Sequence, residues 1–106
     1  MMDIKENQDF LRSIAGLTKP QVTGILKKST SKQLSALAQI AKNVLTNNLK
    51  IKQKFKSALK RYRKIIRSLA LSKISHKKKI DLVVHNTLAV ITLIRSVWDT
   101  ITKLIK

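Results

Sequence analysis

Apolar residues recur at spacings of three and four along most of this chain, and that spacing predicts helices rather than strands. A first helix is expected over 3–16, with Phe10, Leu11, Ile14 and Leu17 as its apolar side. Asp3 can cap it and Gly16 can stop it. Thr18 caps a short second helix, with Pro20 in the first turn, where a missing N–H costs little. Val22, Ile25 and Leu26 are its apolar set. Gly24 inside it is either a weak point of about 1 kcal/mol or a place where another helix comes close. A third helix should start after a Ser31 N-cap and run to about Asn47. Its Leu34, Leu37, Ala38, Ala41, Val44 and Leu45, with Ile40 beside them, mark the central core helix. Asn47-Asn48 ends it, since Asn tolerates a left-handed backbone.

A fourth helix is expected over about 52–72. Ile51, Phe55, Ala58, Leu59, Tyr62, Ile65, Ile66 and Leu69 form its buried stripe. Ser72 and Ser75 bracket a turn with Ile74 as a plug into the core, and Ser75 caps a fifth helix from about 76 to the end. In that helix Val83, Val90, Ile94, Val97, Ile101 and Leu104 form one stripe, widened by Leu88, Ile91, Leu93, Trp98 and Ile105. His85, Thr92, Ser96, Asp99, Thr102, Lys103 and Lys106 lie mostly opposite. The expected fold is all-α, one compact bundle of four to five helices over 1–106. The stretch 86–106 either threads the core or projects as an oligomerising end.

Composition agrees with that fold. Two Gly, one Pro and 4% aromatics in 106 residues leave too few turns for a sandwich or barrel. Charge adds what periodicity cannot. The formal net charge is +18, from 23 Lys and Arg against five acids, and no acid lies between Asp9 and Asp81. Such a chain repels itself and seeks a polyanion. Nucleic acid is the first candidate and an anionic membrane surface the second. Enzymatic chemistry finds no footing. There is no Cys, and His76 and His85 have no carboxylate set at ligand spacing. Asp81 and His85 read as a surface pair. There is no phosphate-cradling Gly loop and no nucleophile motif. No catalytic residue, cofactor or metal is expected.

The cations concentrate in Lys50–Lys79. On a helical wheel Lys56, Lys60, Arg63, Lys64 and Arg67 share one face, flanked by Lys52, Lys54 and Arg61. Lys77, Lys78 and Lys79 open the next helix, where they oppose the helix dipole unless an anion docks there. This pattern suits tracking of phosphates, with Arg forking to two oxygens and Lys acting as a mobile point charge. Base readout wants more Arg, Asn or Gln than this surface offers. Phe10, Phe55, Tyr62 and Trp98 all sit on apolar stripes and read as core rather than base-stacking residues.

Four segments together resemble a known family. They are Lys19-Pro20-Gln21-Val22-Thr23-Gly24-Ile25-Leu26-Lys27, Asn43-Val44-Leu45-Thr46-Asn47-Asn48, the run from Lys54 to Leu69 (KFKSALKRYRKIIRSL), and Ser75-His76-Lys77-Lys78-Lys79. They are similar to the small basic virion core protein of Maverick/Polinton elements and adintoviruses, over roughly 10–84. Two features depart from that pattern. The family's Gly or Asn-Gly break, often with Pro, is replaced by Asn48–Lys50, and its short Gly-Gly ending by an apolar helix over 85–106. The resemblance implies binding and packaging of DNA inside a capsid, a role like that of adenovirus core proteins.

The reading of the whole chain is non-specific binding and condensation of double-stranded DNA. Its residues are Lys52, Lys54, Lys56, Lys60, Arg61, Arg63, Lys64, Arg67, Lys77, Lys78 and Lys79. The alternatives are a membrane-active or capsid-associated protein acting through 86–106, with that stretch also able to form a homo-oligomer, and a helical regulatory domain. The polar opening residues 1–10 show no signal peptide, so the expected location is a virion core or host nucleus, otherwise the cytoplasm, and not outside the cell.

Overall fold

Helical periodicity survives in the structure, but three of the expected helices are each cut by one residue. The computed structural model describes residues 2–71 and 74–105, with side chains over 4–71 and 74–103. Among these the chain is all helix and turn, with α1 (Met2–Glu6), α2 (Gln8–Gly16), α3 (Lys19–Lys27), α4 (Ser31–Leu45), α5 (Lys56–Arg61), α6 (Arg63–Ala70), α7 (His76–His85) and α8 (Thr87–Ile105). The all-α expectation stands, while four to five helices become eight α-helices among the described residues. A 3-10 turn, Gln53–Phe55, leads into α5.

The cuts fall at Asn7 (φ −111°, ψ 27°), Tyr62 (φ −97°, ψ 11°) and Asn86 (φ −129°, ψ 39°). At Tyr62 the backbone bonds run on through the break, from its N–H to the Ala58 carbonyl at 3.2 Å and from the Ile66 N–H to its carbonyl at 3.0 Å. At every cut the apolar phase of the sequence is nearly intact, so a wheel cannot see it. At Asn86 the cause is local chemistry. Its Nδ2 donates to the Leu82 carbonyl at 2.9 Å, and Thr87 Oγ1 donates to the Val84 carbonyl at 2.9 Å. Side chains that take nearby carbonyls compete with the helical ladder. The chain turns by 86° there, so α7 and α8 are two helices and not one.

The caps show which residues set the starts. The start of α4 is capped by Thr30, not Ser31. Thr30 Oγ1 accepts from the Gln33 N–H at 3.1 Å, and Gln33 Oε1 accepts from the Thr30 N–H at 2.9 Å. Such a reciprocal box needs Glu or Gln three residues on. Ser31 would have Leu34 there, which cannot return the bond. Thr18 and Gln21 form the same box at α3. Ser75 Oγ accepts from the Lys78 N–H at 3.3 Å, as expected of a cap for α7. Asn47 takes the left-handed backbone, φ 61°, after α4. Asp3 falls within α1, and its side chain lies outside those described, as does Ser72. Gly24 is exposed with open space where a Cβ would stand, so no helix approaches it closely.

The core unites all eight helices. Ile4, Ile14, Leu26, Leu37, Leu59, Leu69, Val83 and Ile94 are buried members from α1 to α8 in order. Burying one such side chain is worth roughly 1.5–3 kcal/mol. The last helix does not project. Ala89, Val90, Ile91, Leu93, Ile94, Val97 and Ile101 are all buried, and α8 packs on α1, α2, α3, α5, α6 and α7. Ser96, expected on a polar side, is 1% exposed and donates to the Leu93 carbonyl at 2.6 Å. Packing therefore accounts for the apolar ending: α8 is surrounded, and a surrounded helix is apolar on most sides. No single helix among the described residues is long and apolar enough to cross a membrane.

Candidate nucleic-acid interface

The basic surface is built on the pairing of α4 with α6. These two helices pack along each other. Arg63 and Ile66, early in α6, share a groove with Val44 and Leu45 at the end of α4. Ala70 and Leu71, at the other end, share a second groove with Ser35 and Ala38. The helices thus run in opposite directions. Leu59, Ile66 and Leu69 are buried, while Phe55, Ala58, Tyr62 and Ile65 are half-buried. Lys56, Lys60 and Arg61 of α5 and Arg63, Lys64 and Arg67 of α6 are exposed.

Lys56, Lys60 and Arg63 line the first groove. Lys64 and Arg67 line the second, where Lys42 from α4 and Lys79 from α7 join them. Lys42 is absent from the residues expected by sequence. It lies on the polar side of α4 with Ser35 and Gln39, and nothing in the sequence says that this side faces α6. The α7 start adds to the same surface. Ser31 Oγ and His76 Nδ1 share a hydrogen bond of 3.3 Å, which holds the first turn of α7 beside the first turn of α4. Exposed Lys77 and Lys78 therefore stand near Lys28 and Lys32. Together the cations follow α4 from end to end, about 22 Å for its 15 residues. That length matches about six base pairs of duplex DNA at 3.4 Å each. Among the described residues none of these cations has a carboxylate at ion-pair distance; the two ion pairs lie elsewhere.

Two expected residues, Lys52 and Lys54, do not join this surface. Lys52 precedes the helix in extended backbone, φ −63° and ψ 135°. Its N–H donates to the Ser96 carbonyl at 3.0 Å, and Thr100 Oγ1 donates to the Lys50 carbonyl at 3.2 Å. Those bonds hold residues 50–52 against α8. Lys52 Nζ then meets Asp99 Oδ2 at 2.8 Å. The hydrogen bond from Lys52 holds the Asp99 carboxyl below the usual carboxylate range. Lys54 lies over the Phe55 ring, 5.2 Å from its centre. Both lysines line a separate groove with Arg12, Arg95 and Trp98. Arg61, like Lys77 and Lys78, is exposed beside the basic grooves without lining either. A wheel drawn back to Lys52 assumes a helix that begins only at Lys56.

Elsewhere the polar groups have structural roles. Arg95 Nε donates to the Ala15 carbonyl at 2.8 Å and closes the end of α2. His85 Nδ1 is 2.7 Å from the Asp81 carbonyl, so its bond is to backbone and not to the carboxylate. Phe10 is buried, and Phe55, Tyr62 and Trp98 are half-buried against the core. No group of His, Asp and Glu that could hold a metal occurs among the described residues. No protein-family model, curated protein or solved structure matches the chain.

Proposed function

We propose that this protein binds double-stranded DNA through its phosphates, without sequence preference, and condenses it as a core component of a viral or transposon-encoded particle. One observation carries this reading. Lys42, Lys56, Lys60, Arg63, Lys64, Arg67 and Lys79 line two adjoining grooves that contain no acidic residue. The cost of holding so many like charges together is relieved when a polyanion displaces its own counterions. Lysine dominates the surface, which suits contact with a repeating phosphate backbone better than base readout. The cations near the start of α7 extend the same track. The particle setting rests on the resemblance of residues 10–84 to the basic core protein of Maverick/Polinton elements and adintoviruses.

The test is binding of unrelated duplexes across a salt series. Neutralising six to eight phosphates gives a log–log slope of roughly −5 to −7. Equal affinity for all duplexes and that steep slope are the expected result. Binding that ignores salt, or that selects one sequence strongly, contradicts the proposal.

A further inference from the structure

The cations of α5 surround a hydroxyl that the fold leaves unused. Most Ser and Thr side chains of this chain are committed to backbone. Ser13 Oγ donates to the Asp9 carbonyl at 3.0 Å, Thr46 Oγ1 to the Lys42 carbonyl at 3.0 Å and Thr92 Oγ1 to the Leu88 carbonyl at 2.8 Å. Thr30 and Ser75 cap helices, and Ser29, Thr87 and Ser96 are buried. Ser57 is exposed, and its Oγ makes no hydrogen bond among the described residues. Ser68 makes none either, but it is half-buried and lines the second basic groove. Lys52, Lys54 and Lys56 stand five, three and one residues before Ser57, and α5 and α6 contain no acid. Within α5, Lys60 and Arg61 follow Ser57 at i+3 and i+4, so they share its side of the helix. Lys60 in turn lines the first basic groove with Lys56 and Arg63.

Basic residues ahead of an exposed serine are a charge pattern that an acidic kinase pocket selects. The backbone there is also easily drawn out. Lys52 is already extended, φ −63° and ψ 135°, residues 53–55 form a 3-10 turn, and α5 has only six residues. A helix that short is marginal by itself, so this segment opens more readily than the core. We propose that Ser57 is the acceptor of a basophilic Ser/Thr protein kinase, and that its phosphate answers cations of the DNA-binding surface. The effect on DNA rests on the function proposed above; the modification itself does not. In the transfer Ser57 Oγ forms a bond to the γ-phosphorus of ATP, the bond to the leaving ADP oxygen breaks, and the hydroxyl proton passes to the catalytic Asp of the kinase. The new group carries about −1.5 to −2 charge at pH 7 and pairs with Lys60 and Arg61. It does on α5 what Asp99 does for Lys52: it takes up a cation's field that a DNA phosphate would otherwise meet.

The test incubates the intact protein with ATP and a purified kinase that prefers Lys or Arg three residues before its acceptor. Mass spectrometry should find one phosphoryl group, on Ser57. Ser57→Ala should remove it, Ser68→Ala should not, and a kinase that prefers acidic surroundings should add none. The phosphorylated protein should bind duplex about tenfold more weakly at low salt, with a log–log slope flattened by roughly 1 to 2. Unmodified Ser57→Ala should bind duplex as the native chain does. Phosphorylation should also raise the thermal unfolding midpoint at low salt, because it relieves repulsion among the α5 cations. The proposal is overturned if Ser57 takes no phosphoryl group, or takes it equally well from the acid-preferring kinase. An unchanged duplex affinity overturns the effect on DNA, and an unchanged midpoint overturns the pairing with Lys60 and Arg61. Failure of the unmodified chain to bind duplex marks failure of the DNA reading and removes that effect with it. Mass and midpoint need no DNA, so they judge the site and the pairing in either case.

Discussion

Two regions of this molecule are rich in cations, and they differ in what stands beside each charge. Along α4 and α6, Lys60, Arg63, Lys64 and Arg67 are exposed, with no carboxylate in either groove they line. On the α2–α8 side, Arg12, Lys52 and Lys54 line one groove with Asp99. There Arg12 meets Asp9 at 3.3 Å, Lys52 meets Asp99 at 2.8 Å, and Lys54 sits over Phe55. Lys103 also acts on Asp99. The difference is that one side has its charges answered within the fold and the other does not. An unanswered surface is the one with a field left for a ligand. The α8 side spends its residues on holding the chain together, from the backbone bonds at residues 50–52 to the buried apolar face of α8.

That contrast can be broken by mutation, and the largest effect should come from the α8 core. Ile94→Ala, at a fully buried site, should cost about 2–5 kcal/mol in chemical denaturation. Ile65→Ala, on the half-buried stripe of α6, should cost visibly less; an equal cost would mean that α6 is as deeply built into the core as α8. Next comes the sign of the charge effect. Replacing Lys60, Arg63, Lys64 and Arg67 by Gln should raise the unfolding midpoint at low salt. Like charges three or four apart, such as Arg63 with Arg67, cost about 0.2–0.5 kcal/mol per pair. The same change at Arg12, Lys52, Lys54 and Lys103 should bring no such gain, because it removes attractions as well as repulsions. A gain of equal size on both sides would erase the distinction.

Smaller effects sharpen the picture. Thr30→Ala removes half of the capping box that starts α4 and should cost about 1 kcal/mol, read as a lower thermal midpoint. Asp99→Asn should have the least effect, because the Lys52–Asp99 pair is solvent-exposed. Its sign is still defined. The Asp99 carboxyl is held low by Lys52, so its contribution is present above the ordinary carboxylate pKa of about 4 and fades as acid protonates it. The variant should therefore lose slightly less stability than the native chain between neutral pH and pH 3; a larger loss would reverse the assigned shift.

Helix content and most of the buried stripe were legible because a 3.6-residue period survives even where a helix is cut. Leu59, Ile66 and Leu69 could be placed inside from spacing alone. The cuts at Tyr62 and Asn86 could not, since one non-helical residue hardly changes the phase. The cap at Thr30 was legible in principle, because Gln33 stands three residues on while Ser31 has only Leu34. The membership of the basic surface was legible for Lys56, Lys60, Arg63, Lys64 and Arg67, which share one helical face. It failed for Lys52 and Lys54, because the backbone bonds to Ser96 and Thr100 depend on where α8 passes. Lys42 was hidden for the same reason: which side of α4 faces α6 is a tertiary fact. The apolar ending was ambiguous because a helix apolar on most sides suits a core, an interface or a membrane equally.

The central claim is that the unanswered cations, and not the total charge, bind DNA. The most direct test compares duplex affinity across a salt series for the native chain and for the two four-residue Gln variants, both reduced by the same charge. The Lys60/Arg63/Lys64/Arg67 variant should lose affinity by about two orders of magnitude at low salt, with its log–log slope flattened by roughly 3 to 4. The Arg12/Lys52/Lys54/Lys103 variant should stay within about threefold of the native chain, with a slope changed by less than about one. Equal losses in the two variants would show that net charge alone governs binding and would contradict the account.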